Sequence, residues 1–365
     1  MTDAADEQNQ PCQRTYYSLL DLCRFLAALS VLIYHFRHFY FSGVIPPESF
    51  PAGHEPAFAL LEILYRHGNQ AVPFFWVLSG FVFAHVYGGQ TVAMGLFWGR
   101  RFARLYPLHL LTLLVVAGLQ AYHLSANGSY QLFGFNDTYH FILNLFMASS
   151  WGLEEGLSFN APVWSVSAEV LVYFLFWISL PFLNKYKWLG PLALLLGSLI
   201  VAAIVPQLWA PWCGAYFFLG VLVFRLNEQG KDKEQLWIFL CAALLALGIG
   251  LLSILAPEEI ARRYLLMIVF PAFVGLVSFV DSLKGTKELP LCRILGAMSY
   301  AMYLIHVPLQ LLLWIPMHTN GFTGRSVASV PFLLTYMSLV VIAAAVCHYT
   351  VEKPVSRFIR RRYAL

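Results

Sequence analysis

The chain contains little charge for its length. Only 12% of its 365 residues are charged, whereas 59% are hydrophobic and the mean hydropathy is +0.66. Soluble domains have roughly twice that charged fraction. The composition therefore excludes an ordinary soluble globular protein and indicates a chain that crosses a membrane several times.

Other signals are also missing. No basic stretch alternates with aromatic residues and the net charge is only +4, which argues against nucleic acid as a partner. No small-residue cleavage pattern follows the first apolar run, so we interpret that run as a retained span. The six cysteines form no close pair, which argues against a disulfide framework or a zinc site. They lie at positions 12, 23, 213, 241, 292 and 347.

Long apolar runs dominate what is present. A run of about 20 residues spans a bilayer as a helix, and about ten runs approach that length. They cover residues 16–36, 72–88, 105–122, 163–183, 188–205, 212–226, 236–255, 264–281, 294–316 and 330–350. A weaker run, 139–150, is too short to cross comfortably. The sequence predicts an all-α polytopic integral membrane protein with about ten transmembrane helices and one re-entrant or interfacial segment.

The basic residues predict the orientation. With ten crossings, most of the 23 lysines and arginines fall on the side that both termini share. The positive-inside rule therefore predicts cytoplasmic termini in a plasma membrane. This divides the chain into a cytoplasmic tail (1–15), a transmembrane domain (16–350) and a basic cytoplasmic tail (351–365). The long outer segment 37–71 is a candidate cover for an acceptor site.

Two polar residues interrupt the first span. Arg24 and His35 are eleven residues apart, so they share one helix face at a separation of about 16 Å. An ionisable residue inside a span marks either a function or a paired structural role. A pair with Asp21 is the structural alternative for Arg24, and a hydrogen-bonded interior histidine is the alternative for His35. His38 lies close by, but no third ligand recurs, which argues against a metal.

Polar residues of other spans lie at a similar predicted depth. Ser165 and Glu169 are four residues apart in the span 163–183 and share a stripe. Ser79 and His306 lie in spans of opposite direction at comparable depth. We therefore expect His35, Glu169, Ser79 and His306 to meet in the outer half of the bundle. A histidine–carboxylate pair is the simplest way to accommodate a buried glutamate.

A basic cluster opens the third span. In "FWGRRFARLYPLH", Arg101 and Arg104 are three residues apart and point the same way in a helix. Guanidinium groups suit phosphates because they present a fixed fork of donors. The alternative, in particular for Arg100 and Arg101, is charge that only sets the orientation.

Six motifs together resemble one family. Between residues 19 and 358 they occur in the family's order: "LDLCRFLAALSVLIYH", "VPFFWVLSGFVFA", "RRFARLYPLHLL", "FNAPVWSVSAEVLVYFLFW", "LGAMSYAMYLIHVPL" and "YTVEKPVSRF". The chain thereby resembles membrane acyltransferase family 3, a bacterial group that O-acetylates cell-surface and secreted polysaccharides. The resemblance implies that activity depends on His35, Arg24, Arg101, Arg104 and Glu169.

The resemblance also implies a reaction. An acetyl group would pass from cytoplasmic acetyl-CoA to a hydroxyl of a cell-envelope or secreted carbohydrate, free or lipid-linked, at the bacterial inner membrane. His35 would take the hydroxyl proton while Glu169 fixes its tautomer, or His35 would itself carry the acyl group. No metal is expected, and the donor would bind Arg24, Arg101 and Arg104.

The remaining site residues are expected to contact the acceptor or the developing oxyanion: Ser79, Trp164, Ser165, Tyr300 and His306. Two alternatives stay open at this point. One is transfer of a succinyl or other acyl group from its CoA ester. The other is a proton-coupled transporter of a lipid-linked sugar, since such carriers also place ionisable residues within spans.

Overall fold

The computed structural model describes most of the chain. The described residues are 16–41, 44, 53–230, 233–255, 259–282, 289–319 and 327–362. Within these ranges the β pairing consists of one isolated bridge, between Val44 and Leu132. Outside them lie the predicted tail 1–15, part of the outer segment, and five of the basic residues that predicted the orientation: Arg14, Lys231, Lys284, Lys287 and Arg325.

Thirteen α-helices make up the described part of the chain. They are α1 (Ser18–His35), α2 (Phe58–His67), α3 (Ala71–Tyr87), α4 (Met94–Asn127), α5 (Thr138–Leu145), α6 (Trp164–Lys185), α7 (Leu189–Ile204), α8 (Trp209–Gly230), α9 (Glu234–Leu255), α10 (Glu259–Ser282), α11 (Pro290–Thr319), α12 (Val330–Cys347) and α13 (Lys353–Arg362). Short 3₁₀ turns occupy Phe36–Tyr40, Gly68–Gln70 and Ala161–Val163, and a π-helical turn at His348–Glu352 joins α12 to α13.

The helices confirm the predicted fold class. Among the described residues, nine segments are long and apolar enough to cross a membrane, and α7 is a shorter apolar helix that matches the run 188–205. Helix α5 in the weak run has eight residues. At 1.5 Å per residue it measures about 12 Å, well short of a bilayer. Its re-entrant or interfacial placement stays a prediction.

Helices α3 and α8 cross at very close range. A Cβ on Gly80 would lie 1.8 Å from the carbonyl oxygen of Phe217, and one on Gly220 would lie 1.9 Å from that of Val77. Both positions therefore require glycine, because any side chain would push the two backbones apart. Small residues at crossings are a usual means of packing helices in membranes. This crossing fixes α3, which carries Ser79 into the site described below.

The first helix is held at its start by another helix. The carboxylate of Asp281, on α10, accepts hydrogen bonds from the backbone N–H groups of Leu19 (2.8 Å) and Leu20 (3.2 Å). The first N–H groups of a helix have no partner within the helix, so a carboxylate there stabilises it. The cap fixes the position of α1 against α10, and with it the position of Arg24.

Buried apolar residues separate the two polar residues of α1. Ala28, Val31 and Leu32 are buried in one hydrophobic cluster with Met302 and Leu304 of α11. These α1 residues lie between Arg24 and His35 along the chain. The two polar residues of the first span therefore face different surroundings, although they share one helix face.

The segments predicted as a cytoplasmic tail and an outer loop are structured where they are described. In the C-terminal segment, α13 contacts α4. In the segment 37–71, Arg37 forms an ion pair with Glu55 at 2.7 Å, and both side chains are buried. A buried pair of this kind is costly to break from one side, so it ties Glu55 to the start of the segment, directly after α1.

Candidate active site

A cavity of about 470 Å³ opens between α1, α3, α4, α6, α11 and α13. Its lining is rich in charge, and arginine dominates. The charged residues that line it are Arg24, Arg101, Arg104, Arg293, Arg360, Asp21 and Glu169. We call this space the arginine cavity. Its volume lies within the usual range for small-molecule sites.

Arg101 is held in a fixed orientation. Its Nη2 donates to the hydroxyl of Tyr87 at 3.2 Å, and its guanidinium carbon lies 4.7 Å from the centre of the Phe83 ring. A cation over an aromatic face is stabilised by the ring quadrupole. The buried Nε of Arg101 has no acceptor among the described residues. The side chain thus faces the cavity with hydrogen-bonding capacity left over.

Arg104 is bound by a residue that the sequence analysis did not select. Its Nη1 donates to Glu352 Oε1 at 2.5 Å, and the other oxygen of Glu352 lies 3.0 Å from Nδ1 of His348. Glu352 is 2% exposed. The quoted motif "YTVEKPVSRF" contains Glu352, but local spacing does not connect it with an arginine 248 positions away.

Arg24 has the structural partner that was the alternative to a function. Its Nη1 lies 3.3 Å from Asp21 Oδ1, and Asp21 also accepts a hydrogen bond from the hydroxyl of Tyr16. All three residues line the arginine cavity. The pair with Asp21 and a position at the cavity wall therefore coexist.

Glu169 lies in the arginine cavity, and its hydrogen-bonding neighbours are Ser79 and Tyr173. The positive charges of Arg101 and Arg24 also act on its carboxylate. Glu169 is 9% exposed, and its Oε1 has no hydrogen-bond partner among the described residues. The expected hydrogen bond between Glu169 and His35 is wrong, because the polar partner of His35 lies on α11 and Glu169 lies on α6.

That partner is His306 of α11. Nδ1 of His35 lies 2.9 Å from Nε2 of His306, and the two rings stack at 5.0 Å with 13° between their planes. His38 stacks against His35 at 4.8 Å. We call His35, His38, His306 and Gln310 the histidine cluster. In it, His306 provides the polar contact that the sequence analysis assigned to Glu169.

The hydrogen bonds of the cluster assign its tautomers. Nδ1 of His306 lies 2.6 Å from the carbonyl oxygen of Tyr303, which only accepts, so this nitrogen carries the proton. In neutral His306 the other nitrogen is then an acceptor and receives the Nδ1–H of His35. The Nε2 of His35 therefore keeps its lone pair, as a general base or a nucleophile requires.

Gln310 fixes the rest of the cluster. Its Nε2 donates to the carbonyl oxygen of His35 at 2.7 Å, which leaves Oε1 to accept from Nδ1 of His38 at 3.0 Å. His38 and His306 are 4% and 0% exposed, whereas His35 is partly exposed. His35 is thus the accessible member of the three. The i, i+4 spacing of His306 and Gln310 was the sequence signal that could have indicated Gln310.

Tyr303 connects the two regions. Its hydroxyl lies 2.7 Å from Oγ of Ser165, and both residues line the arginine cavity. Its backbone carbonyl is the acceptor for His306. The link therefore runs from the cavity wall to the histidine cluster through a single residue of α11.

The structure thus divides the predicted site residues. Seven of them line the arginine cavity: Arg24, Ser79, Arg101, Arg104, Ser165, Glu169 and Tyr300. His35 and His306 form the neighbouring cluster. Trp164 packs edge-on against Trp76, a lining residue, at 5.8 Å and lies 4.7 Å from Trp209, but it does not itself line the cavity. In the described part of the chain, no group of three metal-binding side chains is arranged to hold an ion.

Comparisons with known proteins identify relatives. Residues 17–349 match the family described as acyltransferase domain. Acyltransferase MdmB of Streptomyces mycarofaciens is 27% identical over 372 residues, which cover 93% of this chain and 91% of that protein. Protein 2 in the picA locus of Rhizobium radiobacter is 37% identical over 105 residues, which cover 28% of this chain and 44% of that protein. No solved structure matches the chain significantly.

Proposed function

The chain belongs to the acyltransferase 3 family, and from this premise we propose that it moves an acetyl group from cytoplasmic acetyl-CoA to a hydroxyl of a carbohydrate. The acceptor would be a cell-envelope or secreted glycan, reached at the bacterial inner membrane. Family membership makes the chain a membrane-embedded acyltransferase, which decides against the transporter that the charged residues in the spans had left open. The acetyl-CoA donor, the carbohydrate acceptor and the orientation of the chain in the membrane are our proposal.

The arginine cavity carries the proposal for the donor. Coenzyme A has a diphosphate and a 3′-phosphate, and arginine forks bind such groups with charge-assisted hydrogen bonds. Five arginines line the cavity beside two carboxylates. A surplus of positive charge next to a partly apolar space suits coenzyme A, because its phosphates are anionic and its pantetheine arm is neutral. This arrangement supports an acyl-CoA more than an uncharged acyl donor.

His35 would perform the chemistry. Its Nε2 takes the proton of the acceptor hydroxyl as the oxygen attacks the thioester carbonyl carbon. The tetrahedral intermediate then collapses, the carbon–sulfur bond breaks, and the CoA thiolate takes the proton from His35. In the variant with an acyl-histidine, Nε2 itself attacks the thioester carbon and the carbon–sulfur bond breaks to release the CoA thiolate. The acceptor hydroxyl then attacks the acyl carbon and displaces the imidazole, and its proton passes to the thiolate. Both routes need the lone pair that the bond to His306 leaves on Nε2.

The region around Tyr303 is where we expect the thioester. Ser165 and Tyr303 are hydrogen-bonded to each other, line the cavity, and lie next to the histidine cluster through Tyr303. Both hydroxyls also lie within hydrogen-bond distance of the Pro162 carbonyl oxygen, 2.7 Å for Tyr303 and 3.2 Å for Ser165. A developing oxyanion would therefore replace that carbonyl as the acceptor of one of these hydroxyls. Glu169, deeper among the arginines, would balance their charge and orient Ser79. For the thioester to reach His35, the contacts around Tyr303 must open.

The proposed orientation of the chain in the membrane can be tested by cysteine labelling. In a cysteine-free background, a cysteine at Asn127 should react with an impermeant maleimide added outside the cell, and one at Gly230 should not. These positions end helices α4 and α8. The basic residues of the chain favour this orientation. The reverse labelling pattern would overturn it.

A donor panel tests the reaction itself. The purified protein in nanodiscs is given acetyl-CoA, propionyl-CoA or succinyl-CoA at equal concentration, and the release of free CoA is followed with and without carbohydrate acceptors. We expect acetyl-CoA to be consumed fastest, with the label appearing on an acceptor hydroxyl. If succinyl-CoA were consumed faster, the transferred group would be succinyl and not acetyl. No turnover of any acyl-CoA would refute the proposed donor class.

A further inference from the structure

The last helix contributes to the arginine cavity although it lies beyond the family match. The match ends at residue 349, and α13 covers Lys353–Arg362. Arg360 of this helix is one of the arginines that line the cavity. Helix α13 thereby adds a positive charge to a lining that already contains Arg24, Arg101, Arg104 and Arg293.

The surroundings of Arg360 are rich in positive charge. The positive charges of Arg101, Arg100 and Arg104 all act on Arg360. Arg104 already pairs with Glu352. Like charges brought together by the fold repel one another, and a bound polyanion relieves that repulsion. The convergence of arginines from α4 and α13 therefore indicates a multiply charged anion at this end of the cavity.

The helix is docked firmly enough to position its arginine. The ion pair between Glu352 and Arg104 ties the turn before α13 to α4. Val355 and Ile359 are partly buried at i, i+4 spacing, whereas Phe358 is 68% exposed. Such a helix lies along a surface with one face packed and another free. Arg360 is thereby held at the cavity rather than on a free tail.

Exposure orders the arginines along the cavity. Arg24, Arg101 and Arg104 are partly buried, whereas Arg293 and Arg360 are exposed and form its rim. In an extended CoA thioester the diphosphate lies between the thioester and the ribose, and the 3′-phosphate lies on that ribose, farther from the reacting carbon. With the thioester directed toward Tyr303, the inner arginines meet the diphosphate and the rim meets the ribose phosphate.

We propose that Arg360 on α13 binds the 3′-phosphate of the CoA donor, so that the C-terminal helix is part of the donor site. This inference rests on the proposed acyl-CoA donor. It predicts that the protein distinguishes acetyl-CoA from 3′-dephospho-acetyl-CoA, which lacks only that phosphate, and that the distinction depends on Arg360.

Binding of the two donors to purified protein in nanodiscs tests the proposal. The wild-type protein should bind acetyl-CoA about tenfold more tightly than the dephospho form, the size expected for one charge-assisted contact. Arg360→Ala should bind both with the affinity of the wild type for the dephospho form. Arg361→Ala is the matched control, because it removes an exposed charge from the same helix without touching the cavity lining. It should keep the tenfold preference.

The outcomes separate this proposal from the donor itself. If the wild type binds neither donor, the acyl-CoA proposal fails. If it binds both donors equally, or if Arg360→Ala keeps the preference, the donor stands and the role of Arg360 is overturned. Equal loss in Arg361→Ala would also overturn it, since general surface charge would then be responsible. Arg360→Lys keeps the charge and should keep part of the preference, which guards against a folding defect in the alanine variant.

Discussion

The arginine cavity and the histidine cluster differ in how far their polar atoms are satisfied. In the cavity, Arg101 Nε and Glu169 Oε1 are buried without a hydrogen-bond partner among the described residues. In the cluster, His306, Gln310 and Nδ1 of His35 all have defined partners. Buried polar groups without partners are costly unless a ligand satisfies them. The cavity is therefore arranged to receive a ligand, and the cluster to hold one lone pair in a fixed place.

In the function that we propose, this contrast corresponds to donor binding in the arginine cavity and chemistry at the histidine cluster. The apolar residues Ala28, Val31 and Leu32 lie between them on α1, and Tyr303 connects them on α11. A change in one region should therefore alter donor affinity and a change in the other should alter turnover. The predictions below test that division, beginning with the largest effect.

The largest effect should come from His35→Ala. Loss of the base or nucleophile should lower acyl transfer by about 10³-fold, within the usual range for such a group, while the affinity for acetyl-CoA stays unchanged. Transfer of labelled acetyl and equilibrium binding of the donor measure the two quantities. His38→Ala is the comparison within the same cluster. It removes a stacked ring but leaves the bond from His35 to His306, so transfer should fall much less than in His35→Ala. Normal transfer by a well-folded His35→Ala variant would contradict the assignment.

The opposite pattern should follow from Arg101→Ala. We expect the affinity for acetyl-CoA to fall about 10- to 100-fold, because a charged hydrogen bond to phosphate is lost, while turnover at saturating donor changes little. Arg100→Ala is the matched control, since Arg100 is the adjacent residue and does not line the cavity. Its charge acts on Arg360, so a loss of affinity much smaller than that of Arg101→Ala is expected. Equal affinity in the wild type and Arg101→Ala would leave only an orienting role for that charge.

A smaller effect should come from His306, which is fully buried and contacts His35. We therefore expect it to position His35 and not to contact the substrate. His306→Leu removes the acceptor for the Nδ1–H of His35 and should lower kcat about tenfold, with the KM for the donor unchanged. His306→Gln retains an acceptor oxygen and should recover part of that loss. If both variants reduced kcat equally, His306 would be acting through packing alone.

The smallest effect on activity should come from a substitution outside both the arginine cavity and the histidine cluster. Asp137 caps α5, where its carboxylate accepts from the backbone N–H of His140 at 2.9 Å. That hydrogen bond, with the His140 side chain, lowers the pKa of Asp137 below its usual 3.8. The cap therefore stabilises the fold above the unfolded-state pKa, and this contribution is lost as the pH falls through the folded-state value.

Asp137→Ala tests the contribution of this cap to stability. We expect the free energy of unfolding to fall by about 0.5–1 kcal/mol at neutral pH, with kcat and donor affinity unchanged. The difference from the wild type should disappear in acid. Thermal unfolding in nanodiscs at several pH values measures it. A change in turnover would show that the segment around α5 affects the histidine cluster. The division into two regions would then need revision.

Much of the framework could be predicted from the sequence. The apolar runs located the helices because the length needed to cross a bilayer is a local property of the chain. The arginines at the start of α4 and the stripe of Ser165 and Glu169 were also recognisable, because i, i+3 and i, i+4 spacing fixes a shared helix face. The quoted motifs predicted the family, which the match over residues 17–349 bears out.

What the sequence alone determined about this protein is where its helices run and which faces are polar. Only the tertiary structure decided which polar faces meet. It paired His35 with His306, 271 positions away, instead of with Glu169, and Arg104 with Glu352, 248 positions away. The physical reason is that a span fixes the length of a helix but not its rotation or its depth relative to its neighbours. Those are set by packing, such as the contact of Gly80 with the backbone of Phe217 and the cap of Asp281 on α1.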